Sequence, residues 1–253
     1  MLAELLKLRK RRGLVALTAI LTVGVIVVFY AVLAILHAAN PAHHGPAGGV
    51  ANLGHGMAVL VSLGGIAAVV VGAVAGTGDL GAGVFRELVV TGRSRRALLR
   101  ARIPGGLAFV LPFVAIAFAL AAVASVVFAG SLAAPSTALL AKSGAWMVLT
   151  TSFDFALALG VASLIGSRAI ATVVVIAWRN VLAPVLLSIS FLGAAREGLP
   201  NAAAERLLPN AVAHFLRQGH GLAMSSSAAV ATLVIWTVVA LAAGSWRTQT
   251  RDA

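Results

Sequence analysis

The chain has 253 residues, of which 60% are hydrophobic and 10% charged, with a formal net charge of +12 and no cysteine. A soluble domain of this size could not bury so much apolar surface, so the composition excludes a soluble enzyme, a disordered chain and a disulfide scaffold. The absence of cysteine excludes thiolate metal sites and cysteine nucleophiles.

Six apolar runs are each long enough to cross a membrane as a helix. A bilayer core about 30 Å thick requires about 20 apolar helical residues. The runs comprise residues 14–36, 57–77, 103–129, 143–166, 169–193 and 228–246. They lack the strict alternation of barrel strands, and helices satisfy their own backbone hydrogen bonds in lipid. The sequence therefore predicts an all-α integral membrane protein, with one transmembrane domain over residues 1–253.

The basic residues are distributed unevenly between the two predicted faces. Six spans place both termini on one side, and a cytoplasmic N-terminus puts 14 of the 19 Lys and Arg residues on that side. The first outer loop, residues 37–56, has none. The sequence therefore predicts cytoplasmic termini in the plasma (inner) membrane. Topology and attraction to anionic lipids explain the net charge, so nucleic acid is not an expected partner.

Residues 1–13 form the basic segment before the first span. Leu2, Leu5 and Leu6 have helical i, i+3, i+4 spacing, which predicts an amphipathic helix in the inner interface. A plain basic anchor is compatible with the same pattern. A cleaved signal is disfavoured, because the apolar run that follows exceeds the roughly 7–15 residues of a signal peptide.

Residues 78–102 form the one large cytoplasmic loop. Phe85, Leu88 and Val89 make an apolar helical face beside Arg86 and Glu87. After the break at Gly92, Ser94 is placed to N-cap a second short helix that carries basic residues. An apolar stripe of this kind favours docking to a soluble partner over a simple tether.

The order of these segments resembles a known family. Glu4-x-x-Lys7-x-Arg9 precedes two spans and is followed by Gly81-Ala-Gly-Val-Phe-Arg-Glu-Leu-Val-Val-Thr-Gly-Arg-Ser-Arg95. The pattern is similar to the membrane subunit of type-2 ABC exporters, which include small six-span permeases of drug, bacitracin and lantibiotic self-protection systems. Leu208-Pro-Asn-Ala211 is similar to a weaker feature of that family.

The resemblance implies roles for the cytoplasmic segments. Residues 1–13 would be a connecting helix, with Glu4, Lys7 and Arg9 on it. Residues 81–91 would be a coupling helix that contacts an ATPase, and the turn at 166–168 a second, minimal contact. The ATPase-coupling residues would be Phe85, Arg86, Glu87, Leu88, Val89, Arg93, Arg95, Arg96 and Arg168. Residues 194–227 would form short outer helices that partly re-enter the membrane.

The ATPase itself would be a separate polypeptide. A phosphate-binding loop needs G-x-x-x-x-G-K-[ST]. The three lysines are Lys7, Lys10 and Lys142, and none follows such a glycine. ATP and Mg²⁺ would therefore be bound by two copies of a cytoplasmic ABC ATPase, while this chain binds no cofactor and pairs with a second permease copy or a paralogue.

Two charges interrupt the fourth and fifth runs. Asp154 lies 13 residues before Ser167 and Arg179 lies 12 after it, so a helical hairpin places both at nearly the same depth. Intramembrane charge is expensive, which predicts an ion pair or a shared polar network with Asn180 nearby. The pair is interpreted as a structural lock between spans, a polar point on a substrate path or dimer seam, or part of a proton relay.

Three weaker patterns complete the candidate features. His37, His43, His44 and His55 surround the first outer loop, but its Pro and Gly content favours a solvated loop over a metal site. Gly72-x-x-x-Gly76 permits close helix packing. An apolar stripe in the last outer loop is consistent with an interfacial helix or with an outer gate formed by Pro209, Phe215 and Leu216.

These observations favour an exporter permease for an amphipathic or hydrophobic compound: a drug, antimicrobial peptide, lipid or glycolipid, with antibiotic or multidrug resistance as the setting. A non-transporting immunity or anchor protein and a haem-export-type permease remain alternatives. A membrane enzyme is disfavoured because convergent carboxylates or histidines are missing from the sequence pattern. A secondary transporter is disfavoured because internal repeats and a broken-helix pair are not detectable.

Overall fold

The computed structural model describes residues 2–81, 95–216 and 223–250, and within these ranges all regular secondary structure is helical. Six helices are long and apolar enough to cross a membrane. We number the helices in chain order as α1 Leu2–Arg9, α2 Arg12–Ala39, α3 Gly49–Gly78, α4 Arg95–Val127, α5 Thr137–Ile165, α6 Arg168–Ser188, α7 Pro200–Arg206, α8 Asn210–Leu216 and α9 Ser226–Thr250.

The prediction of six apolar helices is confirmed, but several helix bounds differ from the sequence-based ones, most of all the starts of α3 and α4. α3 begins at Gly49, not near residue 57. α5 also begins earlier than the predicted run 143–166, at Thr137, and α6 ends at Ser188, before the end of the predicted run 169–193. The separate short helix expected after Ser94 is instead the beginning of α4, which is continuous from Arg95 to Val127. The residues that join the two parts are mainly Arg, Ala and Leu, which favour helix, and nothing before Pro104 interrupts them.

Two helices form the centre of the bundle. In α3 and α5, 61% of the most apolar window is buried, against 17–28% in the four other spanning helices. The outward faces of α2, α4, α6 and α9 are rich in exposed Val, Ile and Leu. This arrangement suits a multi-pass membrane protein, in which lipid or a partner covers the peripheral helices.

Glycines allow the central helices to approach closely. Gly72 and Gly76 of α3 face the backbone of α5, near the carbonyl oxygens of Phe155 and Leu159. A Cβ atom at either glycine would collide with those oxygens. Gly244 of α9 lies against the same helix, next to the carbonyl of its Gly160. The small-residue pattern of α3 therefore does support close packing.

The connecting segments define two ends of the bundle. At the end that we call the loop end, the Gly48 N–H donates to the Phe128 carbonyl at 2.8 Å. The Tyr30 hydroxyl there lies 2.6 Å from that of Ser125 and donates to the Asn52 carbonyl at 3.1 Å. These contacts connect α2, α3 and α4.

At the opposite end, which we call the terminus end, α1 packs on α4 and Arg102 is buried. The Arg102 Nη1 donates to the Gly76 carbonyl at 3.0 Å, and this side chain is 2% exposed. Arg102 is one of the 14 basic residues that the predicted topology assigns to the cytoplasmic side. It is buried because Gly76 leaves its carbonyl accessible at the contact of α3 with α4 and α5.

The apolar face of α1 differs from the one expected. Leu5 and the buried Leu8 contact the cluster that contains Phe109 of α4, whereas Leu2 and Leu6 are exposed. Lys7 and Glu4 form an ion pair at 2.8 Å on the same helix. The i+3 spacing of Leu5 and Leu8 directs one stripe to the bundle. α1 is therefore docked on α4 as well as amphipathic.

Replacing Gly72 by Ala is expected to lower the free energy of unfolding by about 1–3 kcal/mol, because the new methyl group must displace α5 backbone. Thermal unfolding of the detergent-solubilised protein measures the effect. Gly24→Ala is the control: a Cβ there meets only ordinary contacts, so this helical change should be neutral or stabilising by up to about 1 kcal/mol. Equal effects of the two substitutions would contradict the packing role of Gly72.

Candidate functional site

Three of the spanning helices contain a five-residue π-helical turn. These turns are Ile20–Gly24 in α2, Leu60–Gly64 in α3 and Trp178–Leu182 in α6. A π-turn shifts the regular i→i−4 ladder and alters which carbonyls are available to outside donors, and such turns are frequent at functional sites. Two of the three turns meet at the charged pair.

Arg179 lies in the π-turn of α6 and bonds to the π-turn of α3. Its Nε is 3.1 Å from the Asp154 Oδ2 on α5. Its Nη2 donates to the Val61 carbonyl at 2.6 Å, and its Nη1 donates to the Ser62 carbonyl at 3.3 Å. The predicted ion pair is therefore present, and the same guanidinium also connects α3 to α6.

Two further residues complete the surroundings of this guanidinium. Gly65 of α3 lies directly against it, so that a Cβ there would overlap the guanidinium carbon. Asn201 of α7 donates through Nδ2 to the Arg179 carbonyl at 3.1 Å. We call this set of groups the arginine hub. It consists of Asp154, Arg179, Asn201 and the carbonyls of Val61 and Ser62. It joins four helices, α3, α5, α6 and α7.

The two charged side chains of the hub are buried, and their charges are compensated by neighbouring groups. The side chains of Asp154 and Arg179 are 8% and 13% exposed. The guanidinium is compensated by one carboxylate and two carbonyl dipoles, which offsets much of the cost of removing both charges from water. Asn180 is next in sequence but is exposed and makes no contact with the pair that the structure records; it lines the adjacent cavity.

A cavity of about 100 Å³ opens beside the hub. Its walls combine three aromatic rings with polar groups, and the cavity is large enough for several water molecules. The indole N–H of Trp178 is buried and finds no acceptor among the described residues. The principal lining residues are Ser62, Trp146, Thr150, Phe153, Asp154, Trp178, Arg179, Asn180, Asn201, Glu205 and Leu216. The cavity therefore offers both apolar and hydrogen-bonding surface.

The short helices α7 and α8 cover this cavity at the loop end. Trp146 of α5 donates its indole N–H to the Ala204 carbonyl of α7 at 2.8 Å. Phe215 of α8 packs against Gly54 of α3 and the ring of His55, with ring centroids 4.6 Å apart. The apolar stripe of this region therefore faces the bundle, and Val212 at its centre is fully buried.

The three residues assigned to an outer gate occupy different places. Leu216 lines the cavity, and Phe215 is half-buried in the α8–α3 contact. Pro209 lies in the turn between α7 and α8, where its carbonyl accepts from the Val212 N–H at 3.1 Å. It also borders a separate surface groove with Lys142 and Arg206. Phe215 and Leu216 therefore belong to α8, which covers the cavity together with α7, and Pro209 lies in the turn before α8.

The residues assigned to ATPase coupling are described only in part. Phe85, Arg86, Glu87, Leu88, Val89 and Arg93 lie outside the described residues, and only the backbone of Arg95 and Arg96 is described, in the first turn of α4. Arg168 is exposed in the first turn of α6, directly after the Ser167 cap. Arg9 is exposed near the end of α1, which also carries the Glu4–Lys7 pair.

The histidines around the first loop do not converge. His37 Nδ1 lies 2.7 Å from the His44 carbonyl, His43 Nδ1 lies 3.1 Å from the Asn40 Oδ1, and His55 contacts Phe215. Over residues 2–81, 95–216 and 223–250, His and carboxylate side chains form no group of three that could hold a metal ion.

Comparison with known proteins finds no protein-family model that matches the chain and no similar protein among the curated ones.

Replacing Asp154 by Asn or Arg179 by Met is expected to lower the free energy of unfolding by about 3–5 kcal/mol, because each change leaves an uncompensated buried charge. The double variant should lose clearly less than the sum, and chemical denaturation of the purified protein measures all three. Arg168→Met, the same change at an exposed site of α6, should have little effect. Strict additivity of the two hub substitutions would show that the pair is not energetically coupled.

The absence of cysteine makes a single-cysteine reporter possible. Thr150→Cys places a thiol in the cavity wall. In this background, Phe215→Ala should increase the rate of labelling by a soluble maleimide about tenfold. That factor corresponds to a loss of about 1.4 kcal/mol from the free energy that favours the closed form of the cavity. Phe191→Ala removes a ring that is 94% exposed and should leave the labelling rate unchanged. If both variants labelled at the same rate, Phe215 would not close the cavity.

Proposed function

We propose that this chain is the membrane-embedded permease subunit of a type-2 ABC exporter, which moves an amphipathic or hydrophobic compound out of the cell. The observation that carries the proposal is the segment 81–95, whose G-A-G-V-F-R-E-L-V-V-T-G-R-S-R pattern resembles a coupling segment. It connects α3 to α4 at the terminus end, the end where α1 is docked on α4. A connecting helix and a coupling segment would thus be neighbours.

The arginine hub supports a route from that segment to the cavity. The segment follows α3 in the chain, and α3 supplies the Val61 and Ser62 carbonyls that bind Arg179. α3 is also packed tightly on α5 through Gly72 and Gly76. A push on the segment would therefore move α3 and α5 together, and would act through Arg179 on α6 and through Asn201 on the cover.

The chemistry of ATP would belong to two copies of a cytoplasmic ABC ATPase, and the cycle would alternate the cavity between closed and open forms. Such coupling requires contacts whose free energy differs between the two forms. The cover contacts made by Trp146 and Phe215 are suited to this role, because they bridge separate helices. A second copy of the chain, or a paralogue, would complete the pathway in the membrane.

The composition of the cavity supports an amphipathic cargo. Aromatic rings and amide, hydroxyl and charged groups together line it, and the buried Asp154–Arg179 pair is neutral overall. A drug, an antimicrobial peptide, a lipid or a glycolipid each combines apolar and hydrogen-bonding parts. The terminus end would face the cytoplasm, since the basic helix α1 lies there and the sequence between α3 and α4 is also rich in arginine.

Phe85→Asp is expected to abolish both the vanadate-sensitive ATPase activity that co-purifies with the tagged chain from its native membranes and the efflux of a lipophilic dye. The physical reason is that a charge enters the apolar face that would contact the ATPase. The variant should still insert, because position 85 lies outside the apolar runs of the sequence, between those at 57–77 and 103–129.

Phe191→Asp is the matched control, since Phe191 is fully exposed at the loop end and should change neither readout. Full efflux with Phe85→Asp would contradict the proposed coupling role. A chain that confers protection with no associated ATPase would instead be a non-transporting immunity or anchor protein.

A further inference from the structure

A second cavity lies at the terminus end, between α1, α2 and α4. Its volume is about 440 Å³, and its walls are almost entirely apolar. The apolar lining residues are Leu5, Val15, Ala108, Phe109, Pro112 and Phe113. The remaining lining residue is Arg9, the one charged group among them. We call this cavity the α1 groove.

The α1 groove is a built feature of the bundle. Leu5 and Leu8 fix α1 against the cluster that contains Phe109, and the rings of Phe109 and Phe113 are 5.6 Å apart along one wall. Pro112 has no amide hydrogen, so the Ala108 carbonyl beside the groove lacks its usual helical donor. A long apolar chain would fill this space, whereas water would find few partners in it.

Arg9 gives the groove a charge preference. The guanidinium is exposed and, over the described part of the chain, makes no hydrogen bond or ion pair that the structure records. The one carboxylate of segment 1–13, that of Glu4, is engaged by Lys7 at 2.8 Å. An unneutralised guanidinium at the rim of an apolar groove matches a phosphate joined to an acyl chain, because guanidinium binds phosphate in a bidentate manner.

We propose that the α1 groove is a binding site for one anionic phospholipid, with an acyl chain between α1 and α4 and the headgroup phosphate on Arg9. A zwitterionic lipid would fill the groove equally well, but its positive headgroup would weaken the attraction to Arg9. The site does not depend on transport. It would hold α1 against α4.

The test uses the full-length protein, delipidated in detergent and then titrated with phosphatidylglycerol or phosphatidylcholine of the same acyl chains, with native mass spectrometry as the readout. The wild-type protein should retain one phosphatidylglycerol in preference to phosphatidylcholine. Arg9→Gln should weaken phosphatidylglycerol binding about fivefold, the contribution of one basic residue near an anionic headgroup, and should weaken phosphatidylcholine binding clearly less. Glycerol 3-phosphate, which has no acyl chain, should not compete.

Two variants separate a defined site from diffuse attraction. Lys10→Gln removes a neighbouring positive charge that does not line the groove, so phosphatidylglycerol retention should remain at the wild-type level. Ala108→Phe fills the groove and should reduce retention of both lipids. Equal losses in Arg9→Gln and Lys10→Gln, or equal retention of both lipids by the wild-type protein, would overturn the proposal. The Arg9 and Lys10 substitutions are exposed, so the test stands even where Ala108→Phe impairs folding.

Discussion

The positive charge of Arg179 imposes the constraint on which the centre of this bundle depends. A guanidinium buried among apolar helices is stable only when its charge and its N–H groups are satisfied together. Asp154 supplies the opposite charge, and the carbonyls of Val61 and Ser62 accept from the two terminal nitrogens. The fixed planar fork of Arg179 therefore sets how α3, α5 and α6 lie relative to one another.

Close backbone packing makes that constraint effective. Gly65 leaves the space that the guanidinium occupies, and Gly72 and Gly76 bring α3 against α5 about two and three turns beyond it. In lipid the hydrophobic effect contributes little to helix association, so shape and polar contacts determine the arrangement. The π-turns serve the same end, because they present carbonyls of α3 to a side chain of another helix. The glycines and the hub thus act on the same pair of helices.

The sequence predicts those features that follow from length, hydropathy and helical rise. The six helices and the meeting of Asp154 with Arg179 are of this kind, since 1.5 Å per residue places both charges at one depth. The role of the Val61 and Ser62 carbonyls as acceptors for Arg179 could not be predicted. Neither a π-turn nor a backbone acceptor is marked by a particular residue type in the sequence. Asn201 was missed because a lone Asn in a loop is common. The stripe around Val212 was visible, but the sequence alone does not decide between the lipid interface and the bundle.

The hub also restricts how the cavity can open. Separating Arg179 from Asp154 without replacement partners would leave two uncompensated charges in a medium of low dielectric constant, at a cost of several kcal/mol. A motion that keeps α3, α5 and α6 together avoids that cost. Opening the cavity would then require α7 and α8 to separate from these helices, where the contacts are weaker. Asn201 and Trp146 each hold α7 by a single neutral hydrogen bond, and Phe215 holds α8 by ring packing. The net contribution of such a bond is about 1 kcal/mol, so in the proposed cycle these polar contacts of the cover would break more easily than the Asp154–Arg179 pair, although α7 and α8 are also held by buried apolar residues such as Ala203 and Val212.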